Sequence, residues 1–558
     1  MPDKQLDRLL GDHDAMKSKR VGHEASWHHI TEILYPDGTS PFGIGTAGQA
    51  TRGEIYDNTG EDAAETATAA FHAMTTNPAT RWMELGVFDQ QWARDTYGGA
   101  WLYEQTSRLF RNFRHPSTLF NLAMDEDNTQ LIMLGNSCLH VEERSGKLPL
   151  YRACPMANIW WDENSDGMID EVHREFELTA IAAVERPGWA RQLPEEVLKM
   201  ADAKGQAYNP VKFLHVNAPR RERDASKRDR SNMAFRSIYI CLDFPAIIED
   251  GGSHELEYVC SRWRRRAGEI YARGCGHKGL GDVEVLQRMN RVTLLAGERT
   301  IDPTILAPDD GITGAISLKA RAIVSVRAEY LANGAAPRAL NPNTRVDIGM
   351  ELIQDRRELV RRSFLKQLIE IVRDPKFTAT QFLSIEGEQK RGLAPILGRQ
   401  QQERFGPLVE RTFNILARMP GVLDPTPPEL RDQPLQPNFD SEAAQAMRMG
   451  TARAIAQAFD SIGPIVTATG DTALWDNFDL DDNVRAIAEG VGMPARQIKP
   501  VEVRDRMRVQ RQQIAEERAQ LENAKDFTTS LKNAAPMVQA LTGAAANQNG
   551  NAPAEAAA

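Results

Sequence analysis

Three short runs in this chain have residue types and spacing that could do chemistry. The first is Gly274-Cys275-Gly276-His277-Lys278-Gly279, which fits GxGxxG between a strand-like Gly268–Ala272 and a helical stretch. In a dinucleotide site such glycines bring backbone N–H groups up to a pyrophosphate at a helix N-terminus. An NAD- or FAD-binding enzyme is therefore one reading. However, the helix is followed by Asp302-Pro303 and Ala307-Pro308, not by a parallel strand ending in an acidic residue. A tight turn calls for the same glycines.

The second run, Asp162 to Ile169, matches the first eight positions of a calcium-binding EF-hand loop, with Asp162, Asn164 and Asp166 as oxygen donors and Gly167 at the turn. The bidentate glutamate of the twelfth position is replaced by His173, and both flanks read as strands. A hairpin with an Asp-Gly turn accounts for the same residues. The third run places His23, His28 and His29 near Glu24, but five and six residues apart. HExxH zinc chemistry needs histidines four apart on one helix face. The expectation is no metal beyond the calcium candidate, no catalytic residues and no cofactor. GxSxG and GxxxxGK[ST] are both absent, so neither acyl transfer on a nucleophile elbow nor P-loop phosphoryl transfer has its parts.

The elements that would position these residues come from periodicity. The 558 residues are 41% hydrophobic and 26% charged, enough for several domains with a large core. The net charge of −10 is the wrong sign for tight nucleic-acid binding. Cys138, Cys154, Cys241, Cys260 and Cys275 form no CxxC pair, which argues against a zinc ribbon or disulfide framework and fits a reducing compartment. Neither a membrane span nor the apolar block of a signal peptide is expected.

Leu6, Leu9, Leu10, Trp27, Ile30, Ile33 and Leu34 predict one long helix from Pro2 to about Leu34. An alanine-rich helix follows an Asn58–Thr59 cap, and further helices cover about 95–114 and 117–134. Residues 137–270 read as short strands with a helical insert at Leu178–Lys204. Helices are then expected at Asp282 to about Glu298 and at Thr344–Arg373, on either side of a Pro- and Gly-containing stretch. In the second of these, Val346, Met350, Ile353, Val360, Phe364, Leu368 and Ile371 form an apolar stripe. Asp347, Glu351, Asp355, Glu358, Arg362 and Lys366 form a polar face running from acidic to basic, as the helix dipole favours. A helical segment at about 380–419 carries Gly392, Pro395, Gly398 and Pro407, each able to bend or break it. A proline-rich linker, helices at about 440–461, 481–491 and 500–525, and a low-complexity tail complete the chain. The fold class is α+β, mostly helical.

Five separated segments resemble, in order, the head-to-tail connecting (portal) proteins of podoviruses. They are Thr76-Asn77-Pro78-Ala79-Thr80-Arg81-Trp82 after the alanine-rich helix; Ile159 to Thr179; Glu269 to Gly274 with Gly281-Asp282-Val283 and Leu286; Ala307 to Gly311 with Asp347 to Ile353; and Thr378 to Thr380 with Leu397-Gly398-Arg399 and Gly406 to Arg411. Ala272 stands where the family usually has glycine, and Cys275 near its small residue or proline. The GxGxxG run falls inside the third segment.

The resemblance implies a ring-forming portal fold: a wing of N-terminal helices and mixed α/β structure at 1–281, stem helices at 282–299 and 344–373, and an α/β clip at 300–343. Tunnel loop, broken helix and return to the wing take 374–438, a helical crown 439–535, and a disordered tail 536–558. It implies a homo-oligomer of twelve copies at one capsid vertex of the virion, assembled in the host cytoplasm. Double-stranded DNA would pass through it in weak, sequence-independent contact. Implied partners are the terminase large subunit, a tail adaptor or tail tube protein, and the major capsid and scaffolding proteins. By the same resemblance Arg373, Lys376 and Phe377 belong to the tunnel-loop neighbourhood, with Lys376 contacting phosphate. Another virion structural or ejection protein is the remaining alternative; that class tends toward helical arrays without a central α/β region.

Overall fold

The computed structural model describes residues 2–526 apart from 36–54, 88–96, 225, 228, 302–304, 307–337, 340–345, 365–392, 431–434, 440, 441, 471, 492, 494–496, 500, 502 and 522–524. It is 59% helical and 19% strand, the mixed class expected. The chain divides into two compact units. One comprises Met1–Glu84, Gln105–Pro425 and Pro437–Ala446, and the other Leu85–Glu104, Thr426–Gln436 and Met447–Ala558.

The strands in chain order are β1 (Glu84–Val87), β2 (Asn136–Arg144), β3 (Lys147–Cys154), β4 (Ile159–Glu163), β5 (Ile169–Thr179), β6 (Pro210–Pro219), β7 (Phe235–Cys241), β8 (Ala246–Ser253), β9 (Tyr258–Arg262), β10 (Ile305–Leu306), β11 (Arg338–Ala339) and β12 (Leu435–Asn438). In the first unit, β3-β2-β9 form a three-stranded sheet and β4-β5-β6-β7-β8 a five-stranded one, antiparallel throughout. Both arise from the stretch that reads as short strands.

Alternation along β6 shows how the five-stranded sheet is sandwiched. Val211 and Phe213 face the helical insert, packing with Trp189 and Val197. Leu214, Val216 and Ala218 face the other way, onto Leu9 of the first helix, α1 (Pro2–Leu34). The insert forms two helices, Ala180–Glu185 and Glu195–Asp202, the first capped by Thr179 Oγ1 accepting from the Ala182 N–H at 3.3 Å. At its far end α1 buries Trp27, Ile30 and Leu34 in the largest core cluster, which joins both sheets' edges to the helices.

Arg20 locks α1 down. It is buried, donates to the carbonyls of Met156 (2.7 Å), Ala157 (2.8 Å) and Ile159, and lies 4.0 Å above the Trp160 ring. Two turns earlier, His13 Nε2–H donates to Glu175 Oε1 at 2.8 Å, with Lys17 on the same carboxylate. Burial lowers the His13 pKa. Burial alone would raise Glu175, but His13 and Lys17 outweigh it and hold it at about 2. Both shifts make acid destabilising here. Stability from Glu175 is complete above its ordinary value of 4.5 and is lost as pH falls toward about 2; buried neutral His13 resists protonation below 6.5. Between pH 6.5 and 3 the α1 contact is expected to weaken progressively, visible as a change in fluorescence of Trp160, whose ring sits 5.0 Å from His13. A flat signal over that range counts against this coupling.

Four expectations shift. The helix expected from Asp282 begins at Cys275 and runs to Ile301, so Gly276, Gly279 and Gly281 lie inside it. The second helix, α2 (Thr59–Thr75), is not capped by the Asn58 side chain; Asp57 Oδ1 instead accepts from the Thr59 N–H at 2.8 Å. Pro395, Gly398 and Pro407 do not break their segment. Residues 393–418 are helical throughout, and the distortion is confined to a π-turn at Gln401–Phe405 just before Pro407, where the wider turn absorbs the missing proline donor. The helix expected at 440–461 continues to Thr469 through Pro464.

The second unit holds most of the two-stranded ribbon β1–β12, a helix at Leu480–Gly490 and helical residues 503–521. Its aromatic contacts join Phe459 to Trp475 and Phe478, and Asp481 pairs with Arg504 and Arg508 at 3.0 and 2.6 Å. These ion pairs are exposed and contribute little.

Candidate functional site

The resemblance assigns the working surface of the molecule to a pair of long helices, and the structure brings that pair together. Cys275–Ile301 and Val346–Ser363 pack through Val283, Leu286, Ile353 and Val360, all buried in the largest core cluster, with Phe364 closing the end. Arg356 donates to Asp282 Oδ1 at 2.9 Å across the pair.

Asp57 ties both helices to the start of α2. Its Oδ2 accepts from Arg357 Nη2 at 2.7 Å and Asn290 Nδ2 at 3.0 Å, while Gln287 Nε2 donates to its carbonyl at 2.6 Å. Burial would raise the Asp57 carboxyl, but the Thr59 donors and Arg357 bring it below its ordinary value. The clamp was invisible in the sequence because its members lie some 230 to 300 residues apart.

On the second helix Glu351, Asp355, Glu358 and Arg362 all face solvent, spaced four, three and four residues so that they share one side. Glu358 is paired with Arg361 at 2.9 Å. Lys366 and the tunnel-loop candidates Arg373, Lys376 and Phe377 lie outside the described residues. The apolar stripe is only partly inward: Ile353, Val360 and Phe364 are buried, but Met350 is 60% exposed. Leu352 and Leu359 join it outside, and the first helix exposes Val285, Val292 and Leu295 at spacings of seven and three, with Leu294 and Ile301 beside them. Within one copy of the chain, these apolar side chains are 38–87% exposed. Between the helices, only the short antiparallel ribbon β10–β11 is described of the expected clip.

The GxGxxG run lies at the root of this pair, and its glycines are packing surfaces. A Cβ on Gly274 would sit 2.5 Å from the Gly135 nitrogen, one on Gly276 would strike the Met133 carbonyl and come 2.9 Å from Ile30 Cγ2, and one on Gly279 would come 2.9 Å from Phe364 Cε2. Gly276 and Gly279 therefore lie inside a helix closed against Met133, Ile30 and Phe364, and the tight turn expected for this run gives way to close helix packing.

At Asp162–Ile169 the structure forms the β4–β5 hairpin. Asn164 Oδ1 accepts from the N–H groups of Asp166 (2.9 Å) and Met168 (3.0 Å), Gly167 adopts φ +76°, and Asp162 Oδ2 accepts from Lys19 at 2.7 Å. Two of the three calcium candidates thus have other roles, Asp162 in the α1 contact and Asn164 in the turn. Of the histidines on α1, His29 pairs with Glu284 at 2.6 Å and His28 with Glu32 at 3.2 Å.

Two features had no signal in the sequence. Arg262 and Arg404, both almost wholly buried, hold the π-turn in place: Arg262 at the end of β9 meets Glu403 at 2.7 Å together with Glu163, and Arg404 meets Asp127 on the Phe120–Leu134 helix. His140, His215 and Glu257, on three different strands or their ends, converge in the interior.

The family model described as bacteriophage head to tail connecting protein matches residues 6–498. A "Probable portal protein" of Bordetella phage BPP-1 is 25% identical over 532 residues, covering 94% of each chain. A "Portal protein" of Salmonella phage epsilon15 is 25% identical over 530 residues, covering 93% of this chain and 92% of its own. The chain thus belongs to the bacteriophage head to tail connecting protein family.

Proposed function

We infer that this chain is the portal subunit of a tailed phage: a structural component that assembles into a homo-oligomeric ring at one capsid vertex and passes double-stranded DNA during packaging and ejection. The observation that carries the reading is the family match over nearly the whole chain, and the exposed apolar stripes on the paired helices give it a physical basis. Such a stripe requires cover, and in a ring the head-to-tail contact between copies repeats until it closes.

In this reading residues 282–299 and 344–373 are the stem, 300–343 the clip, 374–438 the tunnel loop, broken helix and return to the wing, and 439–535 the crown, in a ring of twelve. The clip docks the terminase large subunit and later the tail adaptor, and capsid and scaffolding proteins surround the wing. Glu351, Asp355, Glu358, Arg362 and Lys366 face water or DNA, and Arg373, Lys376 and Phe377 border the channel. A surface with mixed charge, in a chain of net charge −10, holds polyanionic DNA weakly and lets it slide.

Negative-stain microscopy and mass measurement test the reading: rings with a central hole are expected, and a monomer without rings overturns it. Val292→Asp and Leu295→Asp, at positions 64% and 44% exposed in the single chain, are expected to leave the subunit folded. Each removes about 1.5–3 kcal/mol of apolar burial at every ring contact, so most of the protein sediments below ring size. Unchanged rings in both variants would place the contact elsewhere.

A further inference from the structure

We propose that His140, His215 and Glu257 bind a divalent transition-metal ion of the zinc class, clamping the three-stranded sheet to the five-stranded one. His140 projects from β2, His215 from β6, and Glu257 sits immediately before β9. One ligand atom from each lies within 4.8 Å of the other two. His140 and His215 are 5% and 1% exposed, and the Glu257 side chain 14%.

Geometry and satisfaction point to a bound ion. Both ring nitrogens of His140 are buried; among the described residues Nδ1 makes no hydrogen bond, and Nε2 meets the Glu257 carboxylate only as a long ion-pair contact. Buried polar atoms without partners are rare in native interiors. His140 Nε2 stands 3.5 Å from Glu257 Oε2, too long for a hydrogen bond. Two ligands of a tetrahedral zinc with bonds of about 2.0–2.1 Å lie roughly 3.3 Å apart, so this pair already has the spacing of a shared ion.

The surrounding residues hold the rings in place. His140 stacks on Tyr258 with centroids 4.7 Å apart, and His215 lies parallel to Tyr239 at 4.0 Å. His215 hydrogen-bonds Tyr258 Oη through Nδ1 at 2.6 Å and Ser237 Oγ through Nε2 at 2.9 Å. One of these hydroxyls gives way to the ion and the other remains as the outer partner that a ligating imidazole normally keeps.

The protonation states suit ligation. Burial lowers both imidazoles, His215 to about 3, and so keeps them neutral. Burial would raise Glu257, but the charge of the Arg411 guanidinium favours the ionised carboxylate. Metal binding needs this combination. Two guanidiniums oppose a cation: Arg174, opposite His215 across β5 and β6, and Arg411, which is engaged by the Val141 carbonyl and Glu255. Their charge weighs against any divalent ion, and the donor set decides which is held: a single carboxylate is too little oxygen for Ca²⁺ or Mg²⁺, whereas two imidazole nitrogens suit an ion of the zinc class.

The test uses the full-length, untagged chain, dialysed against Zn²⁺ or Co²⁺ and then against metal-free buffer. About one ion per chain is expected, with a Co²⁺ spectrum of nitrogen and oxygen donors. His140→Gln and Glu257→Gln are expected to weaken binding at least about tenfold, and Zn²⁺ is expected to raise the unfolding temperature of the parent chain but not of His140→Gln. No retained metal, or equal retention in folded variants, overturns the proposal. So does a thiolate charge-transfer band, because Cys138 and Cys260, with sulfurs 3.4 Å apart, would then be the ligands. If a variant fails to fold, the Co²⁺ spectrum and stoichiometry of the parent chain decide the matter alone.

Discussion

Replacing Arg404 with alanine is expected to cost about 3–5 kcal/mol of folding free energy, read as a fall in the denaturant midpoint of the first unit. The Arg404 and Asp127 side chains are 0% and 1% exposed and form an ion pair. Arg404 Nη1 also donates to Asn128 Oδ1 at 2.7 Å, and Ser137 Oγ donates to Asp127 Oδ2 at 3.0 Å. Burial raises the Asp127 carboxyl despite the pull of Arg404 and Ser137 in the other direction. Without Arg404 the carboxylate is left buried with one hydroxyl, and it escapes only by taking up a proton. That raised folded pKa means the variant's deficit is largest at neutral pH and shrinks as pH falls toward the ordinary aspartate value of 3.8. Arg404→Met with Asp127→Leu is expected to recover most of the loss, because breaking a buried pair costs more than replacing it. A deficit below about 1 kcal/mol, the scale of an exposed pair, or one independent of pH, would show that the pair is not the anchor its burial suggests.

The second large effect is expected at Gly276. Alanine there would press its Cβ against the Met133 carbonyl and Ile30 Cγ2, and neither backbone nor a buried side chain can yield easily. Overpacking of this kind costs about 1–3 kcal/mol or more, and it lands where α1, the Phe120–Leu134 helix and the Cys275–Ile301 helix converge. Gly281, five residues along the same helix, is exposed with nothing within 4 Å of an added Cβ. Gly281→Ala is expected to stabilise by about 0.5–1 kcal/mol through helix propensity alone. The pair of measurements separates packing from chemistry. If Gly276→Ala were neutral while His277→Ala or Lys278→Ala abolished a cofactor absorbance, the packing account of this glycine run would fall.

Much of the fold was legible because its signals are local. The apolar spacing in Leu9, Trp27, Ile30 and Leu34 sufficed to identify α1, and the alternation in residues 210–219 suited a strand buried on both faces. Where the reading slipped, the deciding partner was distant. Gly281-Asp282 looks like a helix start, but Gly274 and Gly276 fit so closely against Ile132, Met133 and Gly135 that the helix begins at Cys275. Met350 continues the periodicity of Ile353 and Val360 yet stays 60% exposed, because the Cys275–Ile301 helix covers only part of that face.

Residue order alone is enough for the class of the molecule: a mixed α+β chain without a P-loop or nucleophile elbow, carrying five ordered segments of the connector family and a net charge unsuited to gripping DNA. Tertiary structure alone decided which polar residues matter to its integrity. Asp57 with Arg357, Asp127 with Arg404, and His140 with His215 and Glu257 are separated by some 40 to 300 residues. Periodicity reports which side of its own element a residue occupies. It is silent on which distant charge or imidazole will share the same dry space, because that depends on how the sheets and helices pack and on the cost of burying a polar group unpaired.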